Sequence, residues 1–389
     1  MSRKRETGVG TLRVLIAGGG TGGHLYPGLA VAREFVRRDA RSVVTFAGTG
    51  GGLESRVVPR EGFELDLIRS GGLKGKSLPS LVRGVGLLPL SALDAWRVVK
   101  RRAPDLVVGL GGYSSGPVVL VAAARGIPTL LLEQNAVPGL TNRLLARVVG
   151  AAAVTYESTL GFFGAKGFVS GNPVRPEFFK VGGAAARKGE MTPGNPPSVL
   201  VFGGSQGAHA INAAMVEAAP ALAAAPVGLR VTHQTGERDL EPVREAYRRA
   251  ALDARVEPFL YRMAQEMAGA DVVVCRAGAT TLAEIAAAAR PAILVPLPTA
   301  TDDHQRKNAE VLEGEGAAEV IAQRTLTGTL LARRILGLIA DPERRAQMAR
   351  AVHRLARPDA ASLIVDRALQ LARRSRDEAA GSSPAAGER

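Results

Sequence analysis

The chain has 389 residues, a single cysteine, 46% hydrophobic residues and a formal net charge of +14. This length exceeds one ordinary hydrophobic core and predicts two domains. One cysteine excludes an intrachain disulfide and favours a reducing compartment, and no apolar run approaches the ~20 residues that would span a bilayer. The positive charge indicates an anionic partner. Aromatic residues make up only 4% of the chain, which argues against nucleic acid, because single strands bind by stacking on aromatic side chains.

The first half of the chain alternates short apolar runs with helix-forming segments. Strands are predicted at 12–17, 42–48, 104–110, 128–135 and 151–158. Helices are predicted near 25–38, 91–102 and 118–125. Because the runs are apolar throughout, they are typical of parallel strands that are covered on both faces. The alternation therefore predicts a doubly wound sheet.

The alternation restarts at 196–215, where an apolar strand, a glycine-rich turn ending in histidine and a helix repeat the opening plan. Further strands are predicted at 229–235, 254–260, 271–278 and 292–298. The sequence therefore predicts two Rossmann-type domains. Ligands bind such sheets beyond the carboxyl ends of the strands, so two sheets that face each other across a cleft would hold one ligand each.

Proline, glycine and polar residues mark the domain boundaries. The predicted linker begins near 171–178 and separates a domain at 12–173 from a domain at 174–357. The segment 358–374 is predicted to form a helix that packs on either domain. Residues 1–11 and 375–389 are predicted to be disordered tails.

The stretch AGGGTGGHLYPGLA at 17–30 places Gly18, Gly20 and Gly23 in the spacing of the dinucleotide fingerprint, between a strand and a helix. The second strand, however, ends in Ala-Gly-Thr and offers no acid for a ribose diol, which argues against NAD or FAD. Because N–H groups at a helix start attract phosphate, the loop is predicted to hold a diphosphate without a ribose. The alternative is a tight turn that binds nothing.

Two further glycine loops follow, GLGGYSSGP at 109–117 and GGSQGAH at 203–209. The second is a separate candidate anion site by the same argument. No P-loop motif is present in the sequence, which argues against an ATPase of that class.

Seven motifs occur in one order: GGGTGGHLYPGLA, GGYSSGP, EQNAVPGLTN, GNPVR, FGGSQGA, CRAGATTLAEI and DDHQRKNA. Together they resemble the MurG family of peptidoglycan glycosyltransferases, over about residues 12–372. The resemblance implies the α/β fold called GT-B, with two Rossmann-like doubly wound domains facing across a cleft. It implies inverting transfer of N-acetylglucosamine (GlcNAc) from UDP-GlcNAc to lipid I, which gives lipid II and UDP. UDP-GlcNAc would bind the second domain and lipid I the first, to which the last helix would return.

The donor contacts follow from the resemblance together with the residue types. Glu284 would accept two hydrogen bonds from the ribose diol, or it would be a surface acid near a helix start. Arg175 would lie beside the diphosphate or form a surface or interdomain salt bridge, and Leu260 would face the uracil or pack in the core. The predicted UDP-GlcNAc contacts are Thr21, Gly22, Gly23, Asn135, Arg175, Ser205, Gln206, Leu260, Ala279, Thr280, Thr281, Glu284, Gln305 and Asn308.

Side-chain chemistry gives the other donor contacts their roles. Ser205 and Gln206 would hold the diphosphate, and the amides of Gln305 and Asn308 would read sugar hydroxyls. The pair Asp302-Asp303 is not a D-x-D metal motif. We therefore expect no metal and no other cofactor.

The reaction needs a general base that takes the proton from the acceptor 4-hydroxyl. His24 suits this role as a neutral imidazole, and Glu133 competes with it. The sequence does not decide between them, and His24 could instead bind phosphate or pack. The predicted acceptor contacts are Gly19, Gly20, Tyr113 and Asn142.

Residues 69–102 hold eight Lys or Arg and one Asp, interleaved with LPSLVRGVGLLPL and Trp96. This mixture is typical of a membrane-surface segment, although its glycines and prolines argue against one clean amphipathic helix. We expect peripheral attachment to an anionic membrane surface at the cytoplasmic face. The alternative is a core-packing helix with a solvated basic face.

Three other functions compete with this interpretation. A glycosyltransferase of the same architecture could use a different lipid or aglycone acceptor. A nucleotide-sugar epimerase of the same two-domain build would need no acceptor. A module that binds anionic lipid would ignore UDP-GlcNAc, so an acceptor screen and a UDP titration discriminate among these functions.

Overall fold

The computed structural model describes residues 11–70, 86–181, 196–204 and 207–381. The chain divides into two compact units. Unit 1 takes the chain up to Gln134, then Pro138–Pro173, and then the chain from Asp359 on. Unit 2 takes Asn135–Val137 and Val174–Pro358.

Unit 1 is built on a parallel sheet. Its strands are β1 (Arg13–Ala17), β2 (Val43–Gly48), β3 (Glu64–Leu67), β4 (Leu106–Gly109), β5 (Thr129–Glu133), β6 (Ala151–Val154) and β7 (Gly167–Val169). Their spatial order is β3-β2-β1-β4-β5-β6-β7, and all neighbours run parallel. Leu15 and Ile16 point to opposite faces of β1 and are both fully buried, which explains why this strand is apolar at consecutive positions.

The helices that follow these strands cover the sheet. They are α1 (Gly22–Arg38), α2 (Glu54–Arg60), α3 (Leu88–Arg102), α4 (Ser115–Ala124) and α5 (Leu140–Leu145). On α1, Leu25, Leu29 and Ala32 recur at helical spacing and are buried against the sheet. The start of α1 is thereby fixed at the carboxyl end of β1.

Unit 2 repeats this architecture. Its strands are β8 (Ser198–Phe202), β9 (Arg230–Gln234), β10 (Asp253–Glu257), β11 (Val272–Cys275), β12 (Ala292–Leu294) and β13 (Ala318–Val320). They form a parallel sheet in the order β10-β9-β8-β11-β12-β13. Its helices are α6 (His209–Ala223), α7 (Leu240–Arg249), α8 (Met263–Gly269), α9 (Ala279–Ala288), α10 (His304–Gly314), α11 (Gly328–Ala340) and α12 (Pro342–Arg354).

The last helix, α13 (Ala360–Gly381), belongs to unit 1. Its Ile364, Val365 and Ala368 are fully buried in the same core as Leu25 of α1. The helix extends to Gly381, so the prediction of a disordered tail from residue 375 is wrong for 375–381. Among the described residues, no helix is both long enough and apolar enough to cross a bilayer.

The predicted fold class, α/β with two Rossmann-like doubly wound domains, is confirmed. The strands that the sequence analysis does not predict are β3, β7 and β13, each at a sheet edge and only three or four residues long. Such strands lack a long apolar run, because one side of each is not covered by another strand. The predicted strands at 128–135 and 151–158 end earlier, at Glu133 and Val154.

Candidate active site

Three consecutive glycines connect β1 to α1 in a backbone conformation that other residues rarely adopt. Gly18, Gly19 and Gly20 have φ values of 136°, 154° and 86°. A Cβ added to Gly18 would lie 2.8 Å from the carbonyl oxygen of Gly111, in the turn that follows β4. The loops after the neighbouring strands β1 and β4 therefore pack directly on each other.

The side chain of Glu54 contacts this loop from α2, and Glu54 is a candidate residue that the sequence analysis missed. It is the first residue of α2 and is fully buried, and its Oε2 accepts a hydrogen bond from the Gly20 N–H at 2.7 Å. Its Oε1 accepts from the N–H and the hydroxyl of Thr49 at 2.9 and 2.8 Å. Burial raises the pKa of the Glu54 carboxyl, but these hydrogen bonds outweigh it, so the pKa lies below its usual value. The signal in the sequence is an acid directly after a second glycine cluster, GTGGGLE at 48–54.

This contact bears on the first glycine loop, whose binding of a diphosphate stays a prediction. In this structure the Gly20 N–H donates its hydrogen bond to Glu54. Gly19 packs against the same carboxylate, since a Cβ added there would lie 2.5 Å from Glu54 Cδ. β2 does not end in an acid, but Glu54 follows at the start of α2 and accepts a hydrogen bond from the loop.

His24 lies half-buried in the first turn of α1, with its Nδ1 3.4 Å from the hydroxyl oxygen of Thr21. Its imidazole faces the turn formed by Gly111 and Gly112, which both have positive φ. A Cβ added to Gly111 would lie 3.4 Å from His24 Nε2 and 3.4 Å from Asn142 Nδ2. Two predicted site residues, His24 and Asn142, therefore both lie next to Gly111.

Glu133 and Asn142 form a buried pair beside Gly111. Oε2 of Glu133 accepts from Asn142 Nδ2 at 2.9 Å and from the Gly139 N–H at 3.0 Å. Asn142 Nδ2 also donates to the Leu132 carbonyl at 2.9 Å, which fixes the orientation of the amide. The Asn142 Oδ1 is buried without a hydrogen-bond partner among the described residues. Such an acceptor is rare in folded proteins, so the Asn142 Oδ1 stays a candidate contact for a ligand.

Tyr113 follows the Gly111–Gly112 turn and is exposed. It therefore adjoins the turn beside which His24 and Asn142 lie, and its side chain is accessible to solvent. Thr21, Gly22 and Gly23, which are predicted donor contacts, form the start of α1 in unit 1.

The second glycine loop joins β8 to α6 in unit 2. Gly207 has a φ of 73°, and a Cβ added there would lie 1.8 Å from the Thr235 carbonyl oxygen, so no side chain fits. The predicted diphosphate contacts Ser205 and Gln206 lie outside the described residues. The loop leads into His209, whose Nδ1 lies 3.0 Å from a carboxylate oxygen of Asp239.

Glu284 is buried on α9, a helix in which eight of ten residues are buried. Its Oε1 accepts a hydrogen bond from Arg175 Nη2 at 3.1 Å, and the Arg175 guanidinium also lies 4.9 Å from the ring centre of Phe178. Burial raises the pKa of Glu284 to about 7, although the positive charge of Arg175 opposes this shift. The alternative of a surface acid is therefore wrong, and two predicted donor contacts form one ion pair within unit 2.

The first residues of α9 follow Gly278, which caps the helix in an extended conformation. Ala279 and Thr280 are buried, and Thr281 is half-buried. Leu260 is also buried, and its neighbours Phe259 and Tyr261 are exposed, with ring centres 4.9 Å apart. The backbone at Leu260 thus lies in a partly aromatic surface of unit 2.

The amides of Gln305 and Asn308 differ in their surroundings. Gln305 is half-buried, and its Oε1 accepts from the Leu297 N–H at 3.0 Å, which leaves Nε2 as the end that could reach a sugar. Asn308 is fully buried; its Oδ1 accepts from the Ala136 N–H at 2.8 Å, and its Nδ2 donates to Asn135 Oδ1 at 3.2 Å and to the Ala277 carbonyl. The Asn308 amide thus holds the Asn135–Val137 segment, and its contact with a sugar stays a prediction.

The chain matches the glycosyltransferase family 28 N-terminal domain over residues 14–154 and the C-terminal domain of that family over residues 198–364. It is 49% identical, over 364 residues, to the UDP-N-acetylglucosamine–N-acetylmuramyl-(pentapeptide) pyrophosphoryl-undecaprenol N-acetylglucosamine transferase of Anaeromyxobacter sp. (strain K). The aligned region covers 93% of this chain and 94% of that protein. The protein of the same name from Myxococcus xanthus (strain DK1622) is 46% identical over 356 residues, covering 91% and 92%.

Among solved structures, that of Acinetobacter baumannii MurG is similar with a TM-score of 0.74 and 31% identity, over 92% of this chain and 99% of that one. A UDP-GlcNAc 2-epimerase from Neisseria meningitidis bound to UDP-GlcNAc has a TM-score of 0.65 at 14% identity, over 92% and 100% of the two chains, which shows a shared fold alone. The resemblance read from the seven motifs is confirmed: the chain belongs to glycosyltransferase family 28 and, within it, to the MurG family.

Proposed function

We propose that the protein transfers GlcNAc from UDP-GlcNAc to the MurNAc 4-hydroxyl of undecaprenyl-pyrophosphoryl-MurNAc-pentapeptide (lipid I), with inversion at the anomeric carbon. The products are lipid II and UDP. The observation that carries this proposal is 49% identity to a transferase of that name over 93% of the chain. Unit 1 is the proposed acceptor domain and unit 2 the proposed UDP-GlcNAc domain.

Unit 2 supplies the donor site in this proposal. The ionised Glu284 carboxylate accepts hydrogen bonds from the two ribose hydroxyls, and Arg175, its present partner, gains a second anionic partner in the diphosphate. The N-terminal end of α9, at Ala279, Thr280 and Thr281, carries a positive partial charge toward the same group. These donors stabilise the charge that UDP gains when the bond from its phosphate to the sugar breaks.

Unit 1 supplies the acceptor site and the base. The acceptor 4-hydroxyl attacks the anomeric carbon and loses its proton. We assign the role of the general base that accepts this proton to the imidazole of His24. Two observations favour His24 over Glu133. His24 is only half-buried, beside the Gly111 turn, whereas the Glu133 carboxylate is buried and its Oε2 already accepts two hydrogen bonds from the protein.

We also propose that α3 attaches the protein to the cytoplasmic face of an anionic membrane. Leu90, Leu93 and Trp96 are exposed along this helix, and the Lys100 ammonium lies 5.0 Å from the Trp96 ring centre. The basic charge of this region is smaller than the sequence count suggests. Arg69 pairs with Asp94, and Arg101 and Arg102 pair with Asp66 of β3, so apolar contact carries more of the proposed attachment.

The test is turnover by the purified full chain, with UDP-GlcNAc, a lipid I analogue and EDTA in place of divalent metal. We expect the GlcNAc-MurNAc lipid and UDP in equal amounts. A strict metal requirement, or no product, would contradict the proposal. Formation of a UDP-linked epimer from UDP-GlcNAc alone would support the epimerase, and turnover only with other aglycones would support a transferase with another acceptor.

The assignment of the base predicts a specific kinetic split. Replacement of His24 by Ala should lower kcat by about a hundredfold, within the range of general base catalysis, with little change in the donor KM. The measurement is steady-state kinetics with each substrate varied, and Glu133→Gln is the comparison. A near-normal kcat in His24→Ala together with a strongly reduced kcat in Glu133→Gln would assign the base to Glu133 instead.

A further inference from the structure

We propose that Glu54 is a positioning residue of the acceptor site: its carboxylate takes the place of an anion inside the first glycine loop and thereby fixes the start of α1, where Thr21 and His24 lie. The inference rests on the proposed function in one respect, that this loop serves the acceptor. It adds a residue that acts through the loop and touches no substrate.

Glycines from three segments enclose the Glu54 side chain. A Cβ added to Gly19 would lie 2.5 Å from Glu54 Cδ, one added to Gly48 would lie 2.6 Å from Cγ, and one added to Gly52 would lie 2.2 Å from Oε2. None of these positions tolerates a side chain while the carboxylate stays in place. These glycines therefore make room for a carboxylate of the protein, which accounts for much of the glycine content around the loop.

The charge of Glu54 is held without a cation. Among the described residues, no arginine, lysine or histidine forms an ion pair with it; its oxygens accept from Gly20 N–H and from the N–H and hydroxyl of Thr49. Backbone N–H groups that converge on an anion are the way in which proteins bind phosphate. The first glycine loop is thus an anion site that is already filled, and the substrate diphosphate must use the adjacent start of α1.

The contact is transmitted to the base through one peptide bond. Gly20, which donates to Glu54, is followed by Thr21, and the Thr21 hydroxyl oxygen lies 3.4 Å from His24 Nδ1. If the carboxylate is lost, the N–H groups of Gly20 and Thr49 lose their acceptor, and the loop relaxes as they turn to water. Because a displacement of about 1 Å lowers the rate strongly, His24 then no longer meets the acceptor hydroxyl correctly.

The first test is Glu54→Gln, which keeps the size of the side chain but presents an NH₂ group to one of the two N–H donors. We expect kcat to fall about tenfold or more, because His24 at the start of α1 is displaced, and the KM for the lipid I analogue to rise with it. The Kd for UDP should stay within about twofold, because unit 2 is unaltered. Glu157→Gln, an exposed glutamate of unit 1, is the matched control and should behave as the unmodified protein.

The second test removes the side chain and restores the anion. In Glu54→Ala, a cavity lined by N–H groups remains, and added formate should lower the acceptor KM again, whereas formamide, which has no charge, should not. Unchanged kcat together with an unchanged acceptor KM in Glu54→Gln would overturn the proposal. The proposal would also fail if UDP binding and lipid I turnover fell by the same factor and formate restored neither. That behaviour is expected of a purely structural residue. If the unmodified protein fails to use lipid I, the proposed function itself fails, so the two failures are distinguishable.

Discussion

At the scale of single residues, the least ordinary group is the Glu284 carboxyl. It is buried on α9 and has a pKa of about 7 despite the hydrogen bond from Arg175. Only the ionised form accepts hydrogen bonds at both oxygens, as a ribose diol requires. If Glu284 makes the proposed ribose contact, its protonation weakens donor binding.

This raised pKa predicts a pH dependence of the donor KM. If only the ionised form binds, a pKa of about 7 means that the KM for UDP-GlcNAc rises about tenfold from pH 8 to pH 6, because about one carboxyl in ten is ionised at the lower pH. Steady-state kinetics across this range measure the effect. Glu284→Gln should bind UDP-GlcNAc more weakly at every pH but with a flat profile. A profile in Glu284→Gln as steep as that of the unmodified protein would refute this origin.

The site residues differ in how well the sequence predicts them. Glu284 and Asn142 can be predicted because their motifs follow buried strands, and the structure gives each of them an unusual buried environment. Glu54 was missed because its partner Gly20 lies 34 positions away in the sequence, and a hydrogen bond to a backbone N–H leaves no mark on the partner's residue type. The contacts of Asn308 with the Asn135–Val137 segment were not predicted, since an amide suits a sugar and a loop equally well.

At the scale of elements, α3 in unit 1 carries several exposed apolar side chains. Leu90, Leu93 and Trp96 follow one another at three-residue intervals and are exposed, so they form one stripe on a helix. The helix is continuous over Leu88–Arg102 despite Pro89, because proline is tolerated in the first turn. The sequence-based doubt about an amphipathic helix is thus resolved for this part of the segment.

The stripe predicts the effect of charge substitutions on membrane attachment. Leu93→Glu combined with Trp96→Glu should reduce binding to vesicles of anionic phospholipid by about tenfold or more, since each buried apolar side chain contributes about 1.5–3 kcal/mol. Cosedimentation with vesicles measures the binding. Val227→Glu, at an exposed apolar position of unit 2, is the control. Equal binding of both variants would exclude α3 as the attachment surface.

Strands were predicted correctly from the sequence where both faces of the strand are covered and a strand lies on each side of it. β1, β4 and β5 are covered on both faces and flanked on both sides, so their apolar runs stand out from the surrounding sequence. The edge strands β3 and β13 contain Glu64 and Glu319, which form ion pairs with arginines of neighbouring helices. A charged strand of three or four residues is not distinguishable from a loop by periodicity.

At the scale of the whole molecule, acid stability depends on a buried histidine of unit 2. His233 is fully buried on β9, with Nδ1 2.7 Å from the Tyr247 hydroxyl and Nε2 3.0 Å from Asn212 Oδ1. Burial lowers the pKa of His233 to about 3, although the charge of Asp239 opposes this. The unfolded chain binds this proton below a pH of about 6.5, so the folded state loses stability as the pH falls from there.

We therefore expect the free energy of unfolding of unit 2 to fall by about 2 kcal/mol between pH 7 and pH 5 through this group alone. Denaturant unfolding followed at several pH values measures it. His233→Gln, whose amide can accept from Tyr247 and donate to Asn212, should be less stable at pH 7 but should lose less stability on acidification. His353→Gln, at a half-buried position at the end of α12, should keep the full dependence. Identical pH profiles for the two variants would contradict the assignment.

The helix α13 predicts an effect of truncation that is confined to one unit. A chain that ends at Asp359 lacks Ile364, Val365 and Ala368 from the core of unit 1, and the loss of three such buried side chains costs several kcal/mol. We expect unit 1 to unfold at a lower denaturant concentration while unit 2 still binds UDP with an unchanged Kd, as measured by titration. A chain that ends at Gly381 is the control. Loss of UDP binding in the shorter chain would show that the two units are not independent in stability.

The return of α13 to unit 1 also has a consequence for synthesis on the ribosome. Unit 1 begins the chain, but the helix that covers part of its core is translated only after Val174–Pro358. At ~5–20 residues per second, this delay is roughly 10–40 s. During that time Leu25, Leu29 and Phe35 of α1 lack part of their native cover, so nascent unit 1 exposes an apolar surface. The order of translation thus lets unit 2 fold first and makes unit 1 the last to reach its native state.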